Sequence, residues 1–212
     1  MHVFYLHGFA SSARSSKAAF LGGKLREHGI ELRTPDFNEP DFSTLTITRM
    51  VGQVTAALDA LPAGPVVLIG SSLGAFVAVQ TAVARPDRVD RLVLLAPAID
   101  FGGNRMRELG GVGIDEWKRQ GFLPVFHYGY GRSVPVHYEL YSDACRYDCV
   151  DAVLTMPIQV FQGRRDAAVD PALVEAWASR RPNVELHMLD DDHQLTASLE
   201  RIWAEMKRFL SL

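Results

Sequence analysis

The 212-residue sequence is poor in cysteine and has neither a long apolar run nor a long run of one charge sign. Its two cysteines, Cys145 and Cys149, lack the paired spacing of zinc and iron–sulfur sites, so we expect free thiols and no metal. Their spacing of four leaves open a disulfide on one helical face. No segment reaches the roughly 18 uninterrupted apolar residues that a membrane-spanning helix needs.

The charges are balanced, which excludes classes of partner. Lys and Arg total 22 against 25 Asp and Glu, a formal net charge of −3, so binding of nucleic acid through bulk charge is not expected. The N-terminal segment lacks the basic start of a secretory signal and turns at His7-Gly8. We expect a cytoplasmic protein without nucleic-acid or membrane partners, and the sequence leaves its oligomeric state open.

Apolar residues are abundant and alternate between two periods. They make up 48% of the chain, which is typical of one domain spanning residues 1–212. Short β-rich runs alternate with stretches of helical period, which predicts an α/β fold with a six-stranded, mainly parallel sheet and helices on both faces. The predicted strands are Val3 to Leu6, Glu31 to Thr34, Val66 to Ile69, Leu92 to Leu95, Ile158 to Phe161 and Val184 to Met188. The predicted helices cover residues 17–27, 47–61, 73–84, 172–178 and 199–209.

Residues 101–155 depart from this alternation, because they hold nine of the 20 aromatic residues and eight of the 17 glycines. We expect a small cap inserted above the sheet. Phe126, Tyr128 and Tyr130 alternate before a turn and residues 134–138 alternate after it, which predicts a hairpin with an aromatic underside. Tyr128 and Tyr130 are therefore candidate substrate contacts. The alternative is an inserted segment without a capping role, which packs on its own aromatic residues.

A G-x-S-x-G pattern at residues 70–74 lies between a predicted strand and a predicted buried helix. The pattern alone arises by chance in roughly one chain in thirteen of this composition, so the strand–turn–helix setting carries the argument. Gly70 and Gly74 permit a turn too tight for side chains, which pushes the Ser72 hydroxyl above the sheet. We predict Ser72 as a nucleophile and Ser71 as a small turn residue.

A serine hydroxyl needs a neighbouring base to take its proton. His193 is the predicted base because it follows the last strand by a short loop, where a parallel sheet presents its carboxyl ends to ligands. His187 within that strand and His28 at a helix end are expected to pack or face solvent. His127 and His137 of the hairpin could touch substrate.

The imidazole in turn needs a carboxylate that fixes its tautomer and stabilises its positive charge. Asp166, just beyond the fifth strand, is the predicted acid. Asp170 precedes Pro171 at the start of a helix and is therefore a predicted N-cap. Asp100, after the fourth strand, remains the second candidate for the acid.

Attack on an acyl carbon creates an oxyanion, which two backbone N–H groups must stabilise. The predicted donors are the amides of Leu73, which follows the nucleophile, and Phe9, in the loop after the first strand. Gly8 lets this loop approach closely. His7 is expected to brace the loop or contact substrate, and a role as the base is the alternative.

Four motifs in this order give the chain a family resemblance. The chain resembles an α/β-hydrolase along its whole length, because the family's motifs occur in the same order at residues 6–9, 70–74, 163–166 and 192–193. The candidate residues follow the order Ser, Asp, His that is typical of that fold. The opening residues 5–12 and the sharp turn at residues 70–74, here called the elbow, resemble compact bacterial esterases of the YqiA type. The resemblance implies a serine esterase or thioesterase that is intracellular and cofactor-free. Two departures are the lack of a leading antiparallel hairpin and an aspartate at position 192, where glycine often precedes the histidine.

Several alternatives stay open beside this interpretation. Asp190, Asp191 and Asp192 could form a metal site, but they lack the glycine and spacing of a calcium loop, so we expect a solvated acidic turn. The expected reaction is cleavage of a small carboxylic ester or thioester of modest acyl length through an acyl-enzyme on Ser72. A lyase, a perhydrolase or a carbon–carbon hydrolase could use the same three residues. The alternative outside enzymes is a binding protein that keeps the fold without catalytic activity.

Overall fold

The computed structural model describes residues 1–102 and 113–212 as alternating strands and helices. The strands are β1 (His2–Leu6), β2 (Leu32–Arg33), β3 (Val66–Ser71), β4 (Val89–Leu95), β5 (Phe122–His127), β6 (Arg132–His137), β7 (Ile158–Gly163) and β8 (Val184–Leu189). The α-helices are α1 (Ser16–Arg26), α2 (Ile47–Asp59), α3 (Leu73–Ala84), α4 (Ile114–Gln120), α5 (Glu139–Ala144), α6 (Pro171–Ser179) and α7 (Leu199–Phe209).

Six strands form one sheet in the order β2-β1-β3-β4-β7-β8, and all five neighbouring pairs are parallel. The predicted six-stranded sheet is thus confirmed. β4 begins at Val89, three residues before the predicted start, because Asp90 and Arg91 interrupt the apolar run while the backbone already pairs with β3. β2 is shorter than predicted and lies at one edge of the sheet.

Helices cover both faces of the sheet, and the alternation of side chains along the strands decides which face each residue contacts. On β1, Phe4 and Leu6 pack in the core on the side of α2, α3 and α6, whereas Val3 and Tyr5 pack with α1 and α7. Strand β3 is buried along its whole length. Across the described ranges, no helix has the length and apolar content needed to cross a bilayer. The expected cytoplasmic location stays a prediction.

Residues 101–155 contain helices α4 and α5 and an antiparallel hairpin of β5 and β6, although residues 103–112 of this predicted cap lie outside the described residues. The hairpin differs from the expected one in phase. Phe122 and Phe126 are 47% and 51% exposed, while Leu123 and Val136 are buried. Its inner side therefore carries Leu123, Val136 and His127 rather than the two phenylalanines, because the inward positions of β5 are the odd-numbered ones.

The two cysteines are free thiols, as predicted. Cys145 is exposed and donates to the Gly102 carbonyl at 3.3 Å. Cys149 is buried, contacts the Gln80 amide at 3.1 Å, and has a thiol pKa raised by burial. A buried, protonated thiol of this kind acts as a small packing residue.

Candidate active site

Ser72 lies at the corner where β3 ends and α3 begins. Its backbone has φ +54° and ψ −116°, a conformation that a residue with a side chain rarely adopts. Two hydrogen bonds to residues at and beyond the end of β4 stabilise this corner. The Ser72 amide donates to the Leu95 carbonyl at 2.9 Å, and the Ser72 carbonyl accepts from the Ala98 amide at 3.3 Å. The neighbouring strand β4 thus stabilises a strained position for the hydroxyl.

The two glycines of the pattern are required by close backbone packing. A Cβ atom at Gly70 would lie 2.5 Å from the Cα atom of Ala75. A Cβ atom at Gly74 would lie 1.9 Å from the carbonyl oxygen of Leu6. Both contacts are far shorter than van der Waals distance and involve backbone, which has little room to move.

His193 and Asp166 lie on two other loops at the carboxyl ends of the strands, where His193 contacts Ser72 and Asp166 contacts His193. The His193 Nε2 atom lies 3.1 Å from the Ser72 hydroxyl, and its Nδ1 atom lies 2.8 Å from a carboxylate oxygen of Asp166. This pattern fits a ring that donates from Nδ1 to the carboxylate and accepts the serine proton at Nε2. The three predicted residues therefore form one hydrogen-bonded chain.

The Asp166 carboxylate is buried and fully hydrogen-bonded. Its other oxygen accepts from the amides of Ala168 at 2.7 Å and Val169 at 2.8 Å, and the Gln162 amide donates at 2.9 Å to the oxygen that faces His193. Burial by itself raises the pKa of Asp166, but the His193 ring, the Val169 amide and the Gln162 side chain together lower it by more, so the net pKa lies below the ordinary value. The carboxylate is thus ionised and held in place by four hydrogen bonds, including the one to His193.

The two other candidate aspartates lie elsewhere. Asp170 caps α6, where it accepts from the Ala172 amide at 2.9 Å with Pro171 in the first turn. Asp100 follows Ile99 beyond β4, and among the described residues the carboxylate that bonds to the His193 ring is that of Asp166.

Each of the three aspartates before His193 has a partner of its own. Asp190 pairs with Arg165. Asp191 accepts from the Ser198 amide at 2.9 Å, and Asp192 accepts from the Gln194 amide at 2.8 Å. The three carboxylates therefore stabilise the turn individually and do not converge on one point.

A different set of groups has metal-like spacing. Glu185, His187 and Glu205, on β8 and α7, place their ligand atoms within 4.8 Å of one another. His187 is already paired with Glu185 at 3.0 Å and stacks on Phe161, and Glu205 is paired with Arg208. His187 thus pairs with Glu185 of its own strand β8 and packs against Phe161 of the neighbouring strand β7, in line with the expectation that it packs.

The loop after β1 lies directly against the nucleophile. A Cβ atom at Gly8 would lie 3.2 Å from the Ser71 carbonyl oxygen and 3.3 Å from the Ser72 Cβ atom. Within residues 1–102 and 113–212, the amides of Phe9 and Leu73 donate to no other group of the chain. Two N–H groups next to the serine are therefore available to an anionic oxygen.

His7 braces this loop from behind. It is 2% exposed, its Nδ1 atom bonds to the Gly8 carbonyl at 2.9 Å, and its Nε2 atom accepts from the Phe37 amide at 3.0 Å. Burial lowers the pKa of His7 although Asp36 opposes the shift, so the ring is held neutral. Because both ring nitrogens are used inside the chain, the geometry supports bracing over a role as the base.

The hairpin residues singled out from the sequence lie in and near the β5–β6 turn. Tyr128 is 79% exposed and packs edge-on against Phe126, while the Tyr130 ring stacks on His127 at 3.8 Å. His137 is exposed at the end of β6. Substrate contact by Tyr128 and Tyr130 stays a prediction.

One residue beside the site had no usable sequence signal. Lys17, in the first turn of α1, is 8% exposed, and its ammonium group donates to the Gln194 carbonyl at 2.8 Å, one residue beyond His193. Burial lowers the pKa of Lys17, while the charges of Asp192 and Asp166 oppose the shift. A lysine at the start of an amphipathic helix normally faces solvent, so only the fold indicates that this one supports the histidine loop.

Comparisons with curated proteins find relatives named as ester-cleaving enzymes. Lipase LipV of Mycobacterium tuberculosis is 42% identical over 113 residues, which cover 50% of this chain and 41% of the lipase. Palmitoyl-protein thioesterase ABHD10, mitochondrial, of Bos taurus is 27% identical over 103 residues, which cover 46% of this chain and 34% of the thioesterase. The matched segments thus span well under two thirds of these relatives.

Solved structures match over nearly the whole chain. Est1E of Butyrivibrio proteoclasticus with bound ferulic acid has a TM-score of 0.84 at 21% identity, covering 98% of this chain and 87% of the other. Alpha/beta hydrolase domain-containing protein 10 from mouse has a TM-score of 0.81 at 20% identity, covering 99% and 89%. This similarity confirms the α/β-hydrolase fold.

A family model described as "Uncharacterised protein family (UPF0227)" matches residues 2–211. The match agrees with the resemblance to compact YqiA-type α/β-hydrolases that the loop after β1 and the elbow indicate. Because it covers almost every residue of the chain, the protein belongs to the UPF0227 family and has the α/β-hydrolase fold.

Proposed function

We propose that this protein is a serine hydrolase that cleaves a small carboxylic ester or thioester. The observation that carries the proposal is the hydrogen-bonded chain from Ser72 through His193 to Asp166, set beside two unused backbone amides. The relatives named as a lipase and a palmitoyl-protein thioesterase support ester chemistry.

In the proposed first step, the Ser72 hydroxyl attacks the acyl carbon while His193 Nε2 takes its proton. The carbonyl electrons move to oxygen, and the resulting oxyanion accepts hydrogen bonds from the amides of Phe9 and Leu73. Each such donor contributes on the order of 10²- to 10³-fold to turnover. Asp166 stabilises the imidazolium that forms.

In the second half of the reaction, His193 gives its proton to the leaving alcohol or thiol, which leaves the acyl group on Ser72. Water then attacks this acyl-enzyme while His193 takes one of its protons. The bond between the acyl carbon and the Ser72 oxygen breaks, His193 returns the proton to that oxygen, and the acid product departs. No step needs a cofactor, since the serine, the imidazole and two amides supply the nucleophile, the proton carrier and the charge stabilisation.

The surroundings of the site favour an apolar acyl group. The Phe9 ring lies 5.5 Å from Phe42 and 6.4 Å from Phe101, between ring centroids. Aromatic side chains of this kind form apolar walls for small ligands. We infer that the partly buried Phe9 ring, backed by the buried rings of Phe42 and Phe101, lines the acyl slot, and that residues 101–155 act as a cap over it.

The proposal is tested with p-nitrophenyl esters graded from acetate to laurate, with intact-mass spectrometry of enzyme quenched during turnover. We expect hydrolysis with an optimum at short or middle chain length, because the proposed substrate carries an acyl group of modest length, and a mass increase of one acyl group per chain. Absence of both turnover and adduct across the series would favour a silent binding module.

The acid assignment is tested by comparing Asp166→Asn with Asp100→Asn. Asp166→Asn is expected to lower kcat by about 10³- to 10⁴-fold, because the amide cannot hold the His193 tautomer or stabilise its charge. Asp100→Asn is the matched control and should stay within about threefold of wild type. Steady-state kinetics that showed the opposite ranking would move the acid to Asp100.

A further inference from the structure

The loop that carries the Phe9 amide is attached to the turn of the β5–β6 hairpin. The Tyr128 amide donates to the Ala10 carbonyl at 2.9 Å. Ala10 itself has φ +53° and is 3% exposed, so the loop holds a strained conformation that needs outside support. The hairpin turn supplies part of that support.

His127 forms the inner end of this attachment. It is fully buried, with an exposed fraction of 0%, and contacts the Phe42 ring edge-on at 4.5 Å. Its Nδ1 atom accepts from the Tyr130 amide at 3.1 Å, which leaves Nε2 to carry the proton. Nε2 therefore donates to the side-chain oxygen of Asn38, 3.1 Å away.

Asn38 passes this contact on to the loop. It is 4% exposed, and its side-chain nitrogen donates to the Ser11 carbonyl at 2.9 Å while its side-chain oxygen accepts from His127. One amide thus uses a donor and an acceptor to join the hairpin to the loop. Aspartate has the same shape but, when ionised, lacks the donor.

The loop in turn fixes the direction of the Phe9 N–H group. The Gly8 carbonyl and the Phe9 N–H belong to one planar peptide group and point in opposite directions. That carbonyl accepts from His7 Nδ1 at 2.9 Å and from the Ser11 amide at 3.3 Å. A shift of Ser11 would therefore rotate the peptide that carries the donor.

We propose that Asn38 is a positioning residue for the reaction: it ties His127 of the hairpin to Ser11 and so holds the Phe9 amide toward the oxyanion. The inference rests on the proposed function. It assigns to the hairpin a part in forming the site, in addition to any part in covering the substrate.

The experiment compares Asn38→Ala and the isosteric Asn38→Asp with wild type. Both are expected to lower kcat by about 10- to 100-fold with KM changed less than about twofold, because the transition-state donor is misaligned while the substrate slot is kept. The inhibition constant of a trifluoromethyl ketone, whose adduct on Ser72 carries an oxyanion, should rise by a similar factor.

Thr48→Val is the matched control. The Thr48 hydroxyl bonds to Asp143 at 2.6 Å and to Tyr147 at 2.7 Å. It therefore also joins residues 101–155 to the rest of the domain, but it does so between α2 and the end of α5, away from the loop that carries Phe9. Its kcat and ketone inhibition should stay within about twofold of wild type. Thermal unfolding of all three variants reports any general loss of stability.

The outcomes separate the two proposals. If wild type turns over esters through Ser72 but both Asn38 variants keep wild-type kcat, or if Thr48→Val loses kcat equally, the positioning role is overturned and the proposed function stands. If wild type forms no adduct on Ser72, the proposed function fails and the positioning role fails with it. If Asn38→Ala does not fold, the isosteric Asn38→Asp decides.

Discussion

Replacing Ser72 by alanine is expected to lower ester turnover by at least about 10⁴-fold and to abolish covalent labelling by a fluorophosphonate probe. The reason is chemical rather than structural: the variant loses the hydroxyl that lies 3.1 Å from His193 Nε2 and that attacks the acyl carbon in the proposed mechanism. The loss should appear in kcat, and the unfolding transition should change little. Gel fluorescence after labelling and steady-state kinetics measure the two effects.

Ser71→Ala is the matched control for this prediction. Ser71 is the adjacent residue and is 4% exposed. Its side chain hydrogen-bonds to Tyr5 of the neighbouring strand β1. Labelling and turnover of Ser71→Ala should therefore stay near wild type. Labelling that survived in Ser72→Ala and disappeared in Ser71→Ala would place the nucleophile at position 71, against the proposed mechanism.

Gly74→Ala is expected to destabilise the protein by about 3 kcal/mol and to remove most of its activity. The added Cβ atom would lie 1.9 Å from the Leu6 carbonyl oxygen and 2.8 Å from that of His7. Relief requires β1 or α3 to move, and movement of β1 carries the loop with the Phe9 amide away from Ser72. Urea unfolding should show a midpoint lower by on the order of 1 M.

Gly52→Ala separates the effect of the contact from the effect of the substitution. Gly52 lies inside α2, and a Cβ atom there would meet nothing within 4 Å. This variant is expected to gain about 0.5–1 kcal/mol, since alanine is the better helix former. Equal unfolding midpoints for Gly74→Ala and wild type would contradict the argument that packing against β1 requires glycine at the elbow.

The strands and the main helices were predictable because their signals are local. The apolar run before Gly70 and the apolar helix after Gly74 each bury a continuous surface, which places β3 inside the sheet and α3 against its face. The hairpin was placed less well. Its phase depends on which side faces the core, and the turn aromatic Tyr128 is 79% exposed, where the sequence suggested an inner face.

The supporting residues could not be found from the sequence. Lys17 and Asn38 are buried polar residues whose partners lie far along the chain: Lys17 bonds to Gln194 and Asn38 bonds to Ser11 and His127. A polar residue gives no periodic signal, because its burial is permitted only by partners that the fold brings to it.

The sequence by itself determined the alternation of strands and helices, the sharp turn at Ser72, and the chain order of the candidate nucleophile, acid and base. These follow from hydrophobic period and from the backbone freedom of glycine, which are properties of short segments. Only the tertiary structure decided that Asp166 rather than Asp100 reaches His193, and that the hairpin supports the loop of Phe9. Such contacts join residues from distant parts of the chain, and their geometry exists only once the parallel strands align their carboxyl ends at one edge.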